Sequence, residues 1–411
     1  MKTPLGHQVV PYPRLLYNLD GCGCVNSLLP QFQVTRTMSN DTLLIPGPIV
    51  ISEKVQQALG SPSCSPTVPE FVNLFQGVLK NCRKLFRAHE TQGQPIVLVG
   101  SGTLGWDVAA ANLVDPEDEV LVIGTGYFSD SFQDCLELYG AKVDKLEAPL
   151  GDQVPFQEVE QQLKKKQYKA ITITQVDTST GVLSNVQRIA ELVHELSPST
   201  FIIVDGVCSI GCEEFEFDKW GIDFCLSASQ KAIGAAPGLS ISMISQRALE
   251  HALDPSRKPR SYYASLKKWI PVMQAYEDQK PKYFATLSVQ MVKSLDVALK
   301  ELLADGLELR WEKHRKTSEW LKKKLTDDLG FKLVTKYPSE AAAHGLTVFY
   351  VKDPPKLISY LKQHGTVITG GIHKQIASQC VRIGHMGVSV CSEQLDHIPA
   401  CYKLIAESNI H

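Results

Sequence analysis

Between residues 96 and 228 the chain repeats one unit: a run of branched apolar residues, a turn of small polar residues, then apolar residues at helical spacing. Ile96–Trp106 (IVLVGSGTLGW) leads into the alanine-rich run Asp107–Leu113. Glu119–Gly126 reads as a strand ending at Tyr127-Phe128, and Ser131–Val143 as helix into strand. Val154–Gln167 is predicted helical, Tyr168–Thr174 a strand ending in Asp177–Gly181 (DTSTG), Val186–Leu196 a helix and Phe201–Val204 a strand. Alternation of this kind predicts an α/β fold, with a mostly parallel central sheet and helices on both faces. Loops at the strand ends then share one edge of the sheet. Ser101-Gly102-Thr103, Phe128, Thr178, Asp205 and Lys231 are expected to converge there although they are far apart in the chain.

Two of these residues suggest chemistry. Ile222, Phe224 and Leu226 mark a buried strand, and the following stretch, SASQKAIGAAPG, places one lysine, Lys231, among small residues and a glycine-rich turn. Asp205 directly follows the four apolar residues Phe201–Val204. A carboxylate that keeps a pyridine nitrogen protonated and an amine that forms an imine are what pyridoxal 5'-phosphate asks of a protein. The Gly-Ser-Gly-Thr turn sets backbone amides and the hydroxyls of Ser101 and Thr103 at the positive end of a helix, where a phosphate can sit. The turn lacks the lysine of a P-loop. Phe128 suits either core packing or stacking on a flat ring. Pro46-Gly47-Pro48, inside DTLLIPGPIVIS, leaves little side chain at its tip, as a close approach to a ligand or a plain bend requires. Arg382, on a predicted strand, suits either a bidentate carboxylate contact or a surface ion pair.

The 411 residues suffice for two domains, and a formal charge of -2 gives no basic footprint for nucleic acid. No apolar run approaches the ~20 residues that span a membrane. The 11 cysteines lack regular spacing, and Cys22-Gly-Cys24 lacks the two intervening residues of a metal knuckle. Reduced thiols and no metal site are expected. Residues 1–40, with four prolines, one acid and three Arg or Lys, read as an extension outside the fold or a targeting segment, and Met38 as an alternative start. A cytoplasmic or mitochondrial location is expected, and a peroxisomal one less so because the final Asn-Ile-His is unlike a Ser-Lys-Leu signal.

Phe71–Phe86 carries apolar residues at helical spacing and is expected to be a core helix. Beyond Lys231, Leu239–Met243 is a predicted strand. Tyr262–Trp269 and Lys282–Leu287 read as irregular, and Val289–Leu303 and Leu307–Leu325 as helices. The pattern then becomes α+β, with strands at Phe331–Val334, Gly345–Val351, Val367–Thr369 and Val381–Ile383 and helices at Pro355–His364 and within Leu395–Glu407. Residues 61–300 are thus expected to form a large domain and 301–411 a smaller one, joined by 41–60.

SASQKAIGAAPG, IPGP, GSGTLGWD, DTSTG, VDGVCSIGCEEFEFDKWGID and VRIGHMG together resemble the alanine–glyoxylate and serine–pyruvate aminotransferases, in class V of the fold-type I PLP-dependent transferases. The likeness covers residues 41 to 408 and is strongest to the fungal alanine–glyoxylate enzymes. It implies that Lys231 carries the cofactor as an imine and that Asp205 pairs with the ring nitrogen. Val207 would lie below the ring, Phe128 above it and Thr178 near its hydroxyl; Ser101, Gly102, Thr103 and Gln230 would hold the phosphate. Tyr283 and Thr286 match positions that reach the phosphate from the second subunit of a homodimer with shared sites. Arg382 matches the substrate-carboxylate arginine, and Gly47 a residue against the substrate. The implied reaction moves the amino group of L-alanine to glyoxylate, with Lys231 carrying the proton. A serine donor is an alternative. Cysteine desulfurisation fits less well, because desulfurases place a histidine where this chain has Phe128. Ser65-Pro66 departs from the Gly-His pair common among relatives.

Overall fold

The computed structural model describes residues 41–336 and 340–410, so the expectations for residues 1–40 concern residues outside that range. Seven strands build the central sheet: β1 (Gln94–Val99), β2 (Glu119–Gly124), β3 (Lys142–Glu147), β4 (Ala170–Thr174), β5 (Phe201–Asp205), β6 (Phe224–Ala228) and β7 (Leu239–Ile244). Their order across the sheet is β1-β7-β6-β5-β4-β2-β3. Strand β7 is antiparallel to both neighbours, and every other pairing is parallel. The strands β4 to β7 are buried at every residue. Burial on both faces is why they read as continuous apolar runs and not as alternating ones. The edge strand β3 is the exception; its sequence KVDKLE puts charge where a further strand would pair.

Helix α1 (Pro69–Phe86) starts with proline at its first turn and buries Phe71, Phe75, Val78, Leu79, Cys82 and Phe86. Helices α2 (Gly102–Leu113), α3 (Tyr127–Leu138) and α4 (Val186–Leu196) follow β1, β2 and β4 respectively in the chain. The stretch Tyr262–Trp269, expected to be irregular, instead runs into helix α5 (Leu266–Glu277), which contains Pro271. Pro271 removes one helical hydrogen bond, but Leu266, Trp269, Ile270, Met273 and Tyr276 are all buried. Tyr276 meets the Phe71 and Phe75 rings edge-on. Burial of such side chains is worth roughly 1.5–3 kcal/mol each, which outweighs the lost bond.

Helices α6 (Val289–Leu303) and α7 (Leu307–Lys323) lead to a second, antiparallel sheet. Its strands β8 (Leu346–Tyr350), β9 (Thr369–Gly370) and β10 (Cys380–Gly384) lie in the order β8-β10-β9. Phe331–Val334, expected as a strand, makes only the single bridge of Leu333 to Phe349. A π-helical turn at Lys324–Asp328 and Gly330 at φ +71° precede it, and Phe331, Leu333 and Val334 are buried without joining the ladder. Thr42–Leu43 pairs with Thr366–Val367 beside this smaller sheet, and six residues later the Ile49 amide donates to the Gln230 carbonyl at 3.1 Å. Residues 41–49 therefore run from the small sheet to the lysine loop.

Candidate active site

Strands β1, β2, β4, β5 and β6 point the same way, so the residues after each of them meet at one edge of the sheet. Lys231 follows β6 in a loop closed by Ser229, whose hydroxyl donates to the Ala236 carbonyl at 2.6 Å and accepts from the Leu239 amide at 3.2 Å. From α7, Arg310 donates to the carbonyls of Ala232 (2.7 Å) and Gly211 (2.8 Å) and clamps the loop from behind. The lysine amine itself donates to the Pro46 carbonyl at 2.6 Å. Gly47 lies on the lysine stem: a Cβ there would be 2.4 Å from the Lys231 Cδ, and its φ of +121° is one that side chains rarely adopt. The Pro-Gly-Pro turn is therefore a close approach and not a plain bend.

Asp205 ends β5 and is 3% exposed. Its carboxylate accepts from the Trp106 indole N–H at 2.8 Å and from the Val207 amide at 3.0 Å. Burial pushes its pKa up to about 6, while those two donors and Lys231 pull it down. Gly102, the first residue of α2, lies so close that a Cβ would come within 2.7 Å of Val207 Cγ2. The hydroxyls of Ser101 and Thr103 stand exposed at the positive end of α2, and Ser101 makes no side-chain cap to its own helix. The Gln230 side-chain oxygen is buried and has no partner among the described residues.

On the other flank, buried Asp177 joins two turns. It accepts from the amides of Phe128 (3.0 Å), Ser129 (3.3 Å) and Ser179 (3.0 Å) and from the Ser179 hydroxyl (2.6 Å). Phe128 and Thr178 are thereby fixed relative to each other. Burial raises the Asp177 pKa despite these donors. Arg382, on β10, is 8% exposed; its Nε donates to the Gly370 carbonyl at 2.8 Å, and Nη1 reaches the Thr178 carbonyl at 3.5 Å. It is a buried guanidinium and not half of a surface ion pair. A basic amine, an acid behind it, a helix N-terminus and a buried guanidinium thus surround one edge.

Residues 55–398 match the family model described as aminotransferase class-V. The chain belongs to that family. Alanine–glyoxylate aminotransferase 1 of Saccharomyces cerevisiae is 52% identical over 376 residues, which cover 90% of this chain and 98% of the yeast protein. The serine–glyoxylate aminotransferase of Hyphomicrobium methylovorum is 27% identical over 84% of this chain and 85% of its own. Among solved structures, the alanine–glyoxylate aminotransferase of Nostoc sp. superposes with a TM-score of 0.80 at 27% identity, covering 89% of this chain and 95% of that one.

In this class-V aminotransferase two of the expected site residues stand apart from the rest. Tyr283 and Thr286 have their hydroxyls 3.2 Å from each other, and Tyr283 is 73% exposed in the single chain. Ser65 and Pro66 lie in the loop before α1, where the Ser65 and Thr67 hydroxyls meet at 2.8 Å and the Pro66 carbonyl accepts from Tyr276 at 3.0 Å. Sequence reasoning missed Trp106, Asp177 as a latch, and Arg310. Trp106 does stand in the GSGTLGWD motif, four residues into α2, so the helical period alone returns it to the side on which Gly102 starts.

Proposed function

We propose that the enzyme transfers the amino group of L-alanine to glyoxylate, giving pyruvate and glycine, with pyridoxal 5'-phosphate as the carrier. The observation that carries this reading is Lys231 and Asp205 on adjacent strand ends, in a chain 52% identical to a yeast alanine–glyoxylate aminotransferase. The residues suit the coenzyme on physical grounds. Asp205, held at about 6 by burial, gains from a cationic partner such as a ring N–H. Ser101, Gly102 and Thr103 offer a phosphate the amides and hydroxyls of a helix N-terminus, and the side-chain NH2 of Gln230 would donate to it from the lysine loop. Val207 and Phe128 would cover the two faces of a ring, and Thr178 would neighbour its hydroxyl.

When bound, this coenzyme supplies an electron sink that stabilises negative charge at the substrate α-carbon. The protein does the rest. Asp205 keeps the ring nitrogen protonated, a preorganised charge that costs no rearrangement during the reaction. Arg382 takes the substrate carboxylate as a fork and so fixes the α-carbon relative to Lys231. The neutral Lys231 amine removes the α-proton and returns it on the other side of the transfer. Its contact with the Pro46 carbonyl gives the amine a defined resting place. Gly47, lacking a side chain, lets the Pro46–Pro48 turn lie directly against the Lys231 stem. The exposed Tyr283 and Thr286 would serve the phosphate of the other subunit in a homodimer with shared sites.

The test is direct: purified enzyme with coenzyme, L-alanine and glyoxylate should form pyruvate and glycine in equal amounts, and Lys231→Ala should form neither. Transfer from serine or aspartate with none from alanine would overturn the donor assignment.

A further inference from the structure

His314 has no part in the reaction above, yet it joins two segments that do. It sits on α7, fully buried, and both of its ring nitrogens are used: Nδ1 lies 2.8 Å from the Arg310 carbonyl one turn back, and Nε2 accepts from the Gly387 amide at 3.1 Å. A nitrogen that accepts from an amide carries no proton, so the proton is on Nδ1, which donates to the carbonyl. Burial, with Arg310 nearby, pushes the ring's pKa down to about 3 and keeps it in this neutral form. The amide donor, Gly387, closes the stretch VRIGHMG that carries Arg382.

Two ties therefore run from the Arg382 strand to the lysine loop. The front one passes through residues 44–49: the Gly384 amide donates to the Leu44 carbonyl at 2.8 Å, the Lys231 amine to the Pro46 carbonyl and the Ile49 amide to the Gln230 carbonyl. The back one runs from Gly387 through His314 to Arg310, whose fork holds the Ala232 carbonyl at 2.7 Å and the Gly211 carbonyl at 2.8 Å. Gly211 belongs to the turn that follows Asp205, and a Cβ on it would stand 3.3 Å from the Ala232 carbonyl. The back tie thus fixes the lysine loop, the acid turn and the guanidinium strand to one turn of α7. When the Lys231 amine leaves Pro46 to carry a proton, the front tie loses its contact with the amine, and the back tie is unchanged.

We propose that His314 is a positioning residue of the amino transfer: through Gly387 and Arg310 it sets the distance between the substrate carboxylate on Arg382 and the base Lys231. A histidine suits this role because one rigid ring offers a donor and an acceptor at fixed separation. An apolar residue in its place leaves the buried Gly387 amide without a partner. The ring bonds only to Arg310 and Gly387, so its effect falls on the geometry of the proton step, where a displacement of about 1 Å costs on the order of 100-fold. The inference rests on the assignments of Lys231 and Arg382 made above.

The test compares coenzyme-loaded wild type with His314→Leu, which loses both bonds, His314→Gln, whose side-chain amide can accept from Gly387, and Arg310→Lys, whose point-like ammonium replaces the fork. Bound coenzyme is read by absorbance and the fold by melting temperature. KM and kcat are measured for L-alanine with glyoxylate, and exchange of the alanine α-proton with D2O is followed by NMR without glyoxylate. In His314→Leu, kcat and α-proton exchange should both fall about 100-fold, while KM for alanine and bound coenzyme stay within about twofold of wild type. Arg310→Lys should show the same pattern at about tenfold, and His314→Gln should recover to within about tenfold of wild type. A folded His314→Leu with kcat and exchange within about twofold of wild type would overturn the proposal. So would a fall in rate that only follows lost coenzyme or lost fold, the result for a histidine that serves packing alone. Should His314→Leu fail to fold, the same criteria apply to Arg310→Lys. Wild-type protein that neither exchanges nor transfers with alanine removes the transamination reading itself, whereas active wild type with unmoved variants removes this inference alone.

Discussion

Replacing Asp205 by asparagine should make the coenzyme-free protein more stable while disabling the enzyme. Burial lifts the Asp205 pKa from 3.8 to about 6. At about 1.4 kcal/mol per unit, the ionised form then costs the folded state roughly 3 kcal/mol above pH 6. Asparagine removes that cost but can accept well from only one of Trp106 and Val207, and the donor left over costs about 1 kcal/mol. The net gain is about 2 kcal/mol. A carboxyl with a raised folded pKa binds its proton more tightly in the folded state. Wild-type stability therefore declines as pH rises from about 4 through about 6, and Asp205→Asn lacks this decline. Urea unfolding of both coenzyme-free proteins, at pH 4 and pH 7.5, reads the effect as a midpoint difference that favours the variant only at the higher pH. With coenzyme, the variant should lose amino transfer by about 100-fold or more, as its ring nitrogen lacks a charged partner. A variant less stable than wild type at pH 7.5, or a difference equal at both pH values, would refute the reasoning.

Three further substitutions probe other parts of the site. Trp106→Phe removes the indole donor to Asp205 and should weaken coenzyme affinity about tenfold, measured by absorbance titration. Gly47→Ala places a Cβ against the Lys231 stem at a φ of +121°; kcat/KM should fall about tenfold or more while the melting temperature changes by only a few degrees. If the proposed homodimer shares its sites, Tyr283→Phe should reduce coenzyme retention about tenfold and leave the unfolding of coenzyme-free protein unchanged, because the residue is exposed within its own chain. Equal retention by Tyr283→Phe and wild type would argue against a shared site.

Local pattern carried much of the fold. Strand β5 reads FIIV before its acid because both of its faces are covered, and α1 could be placed from Phe71 to Phe86 because one face alone is apolar. Helix α5 escaped notice because Pro271 interrupts its period and tertiary burial of Trp269 and Tyr276 decides the outcome. Phe331–Val334 erred the other way, since apolar content records burial and not hydrogen-bonded partners. In the site, Lys231, Asp205 and Gly47 were legible from small residues and punctuated turns. Asp177 was not, since its role depends on the Phe128 amide 49 residues away. Arg310 was hidden for the same reason, as it reaches the Ala232 carbonyl across 78 residues from the first turn of a helix rich in charge.

The central claim is that Lys231 and Asp205 serve a coenzyme that receives an amino group from alanine and passes it to glyoxylate. The most direct measurement is the absorbance spectrum of the purified, coenzyme-loaded protein, first with L-alanine and then with glyoxylate. The visible band of the lysine-bound coenzyme should disappear with alanine, return with glyoxylate and be missing from Lys231→Ala. A wild-type band that alanine leaves unchanged, or no band after loading, would contradict the account.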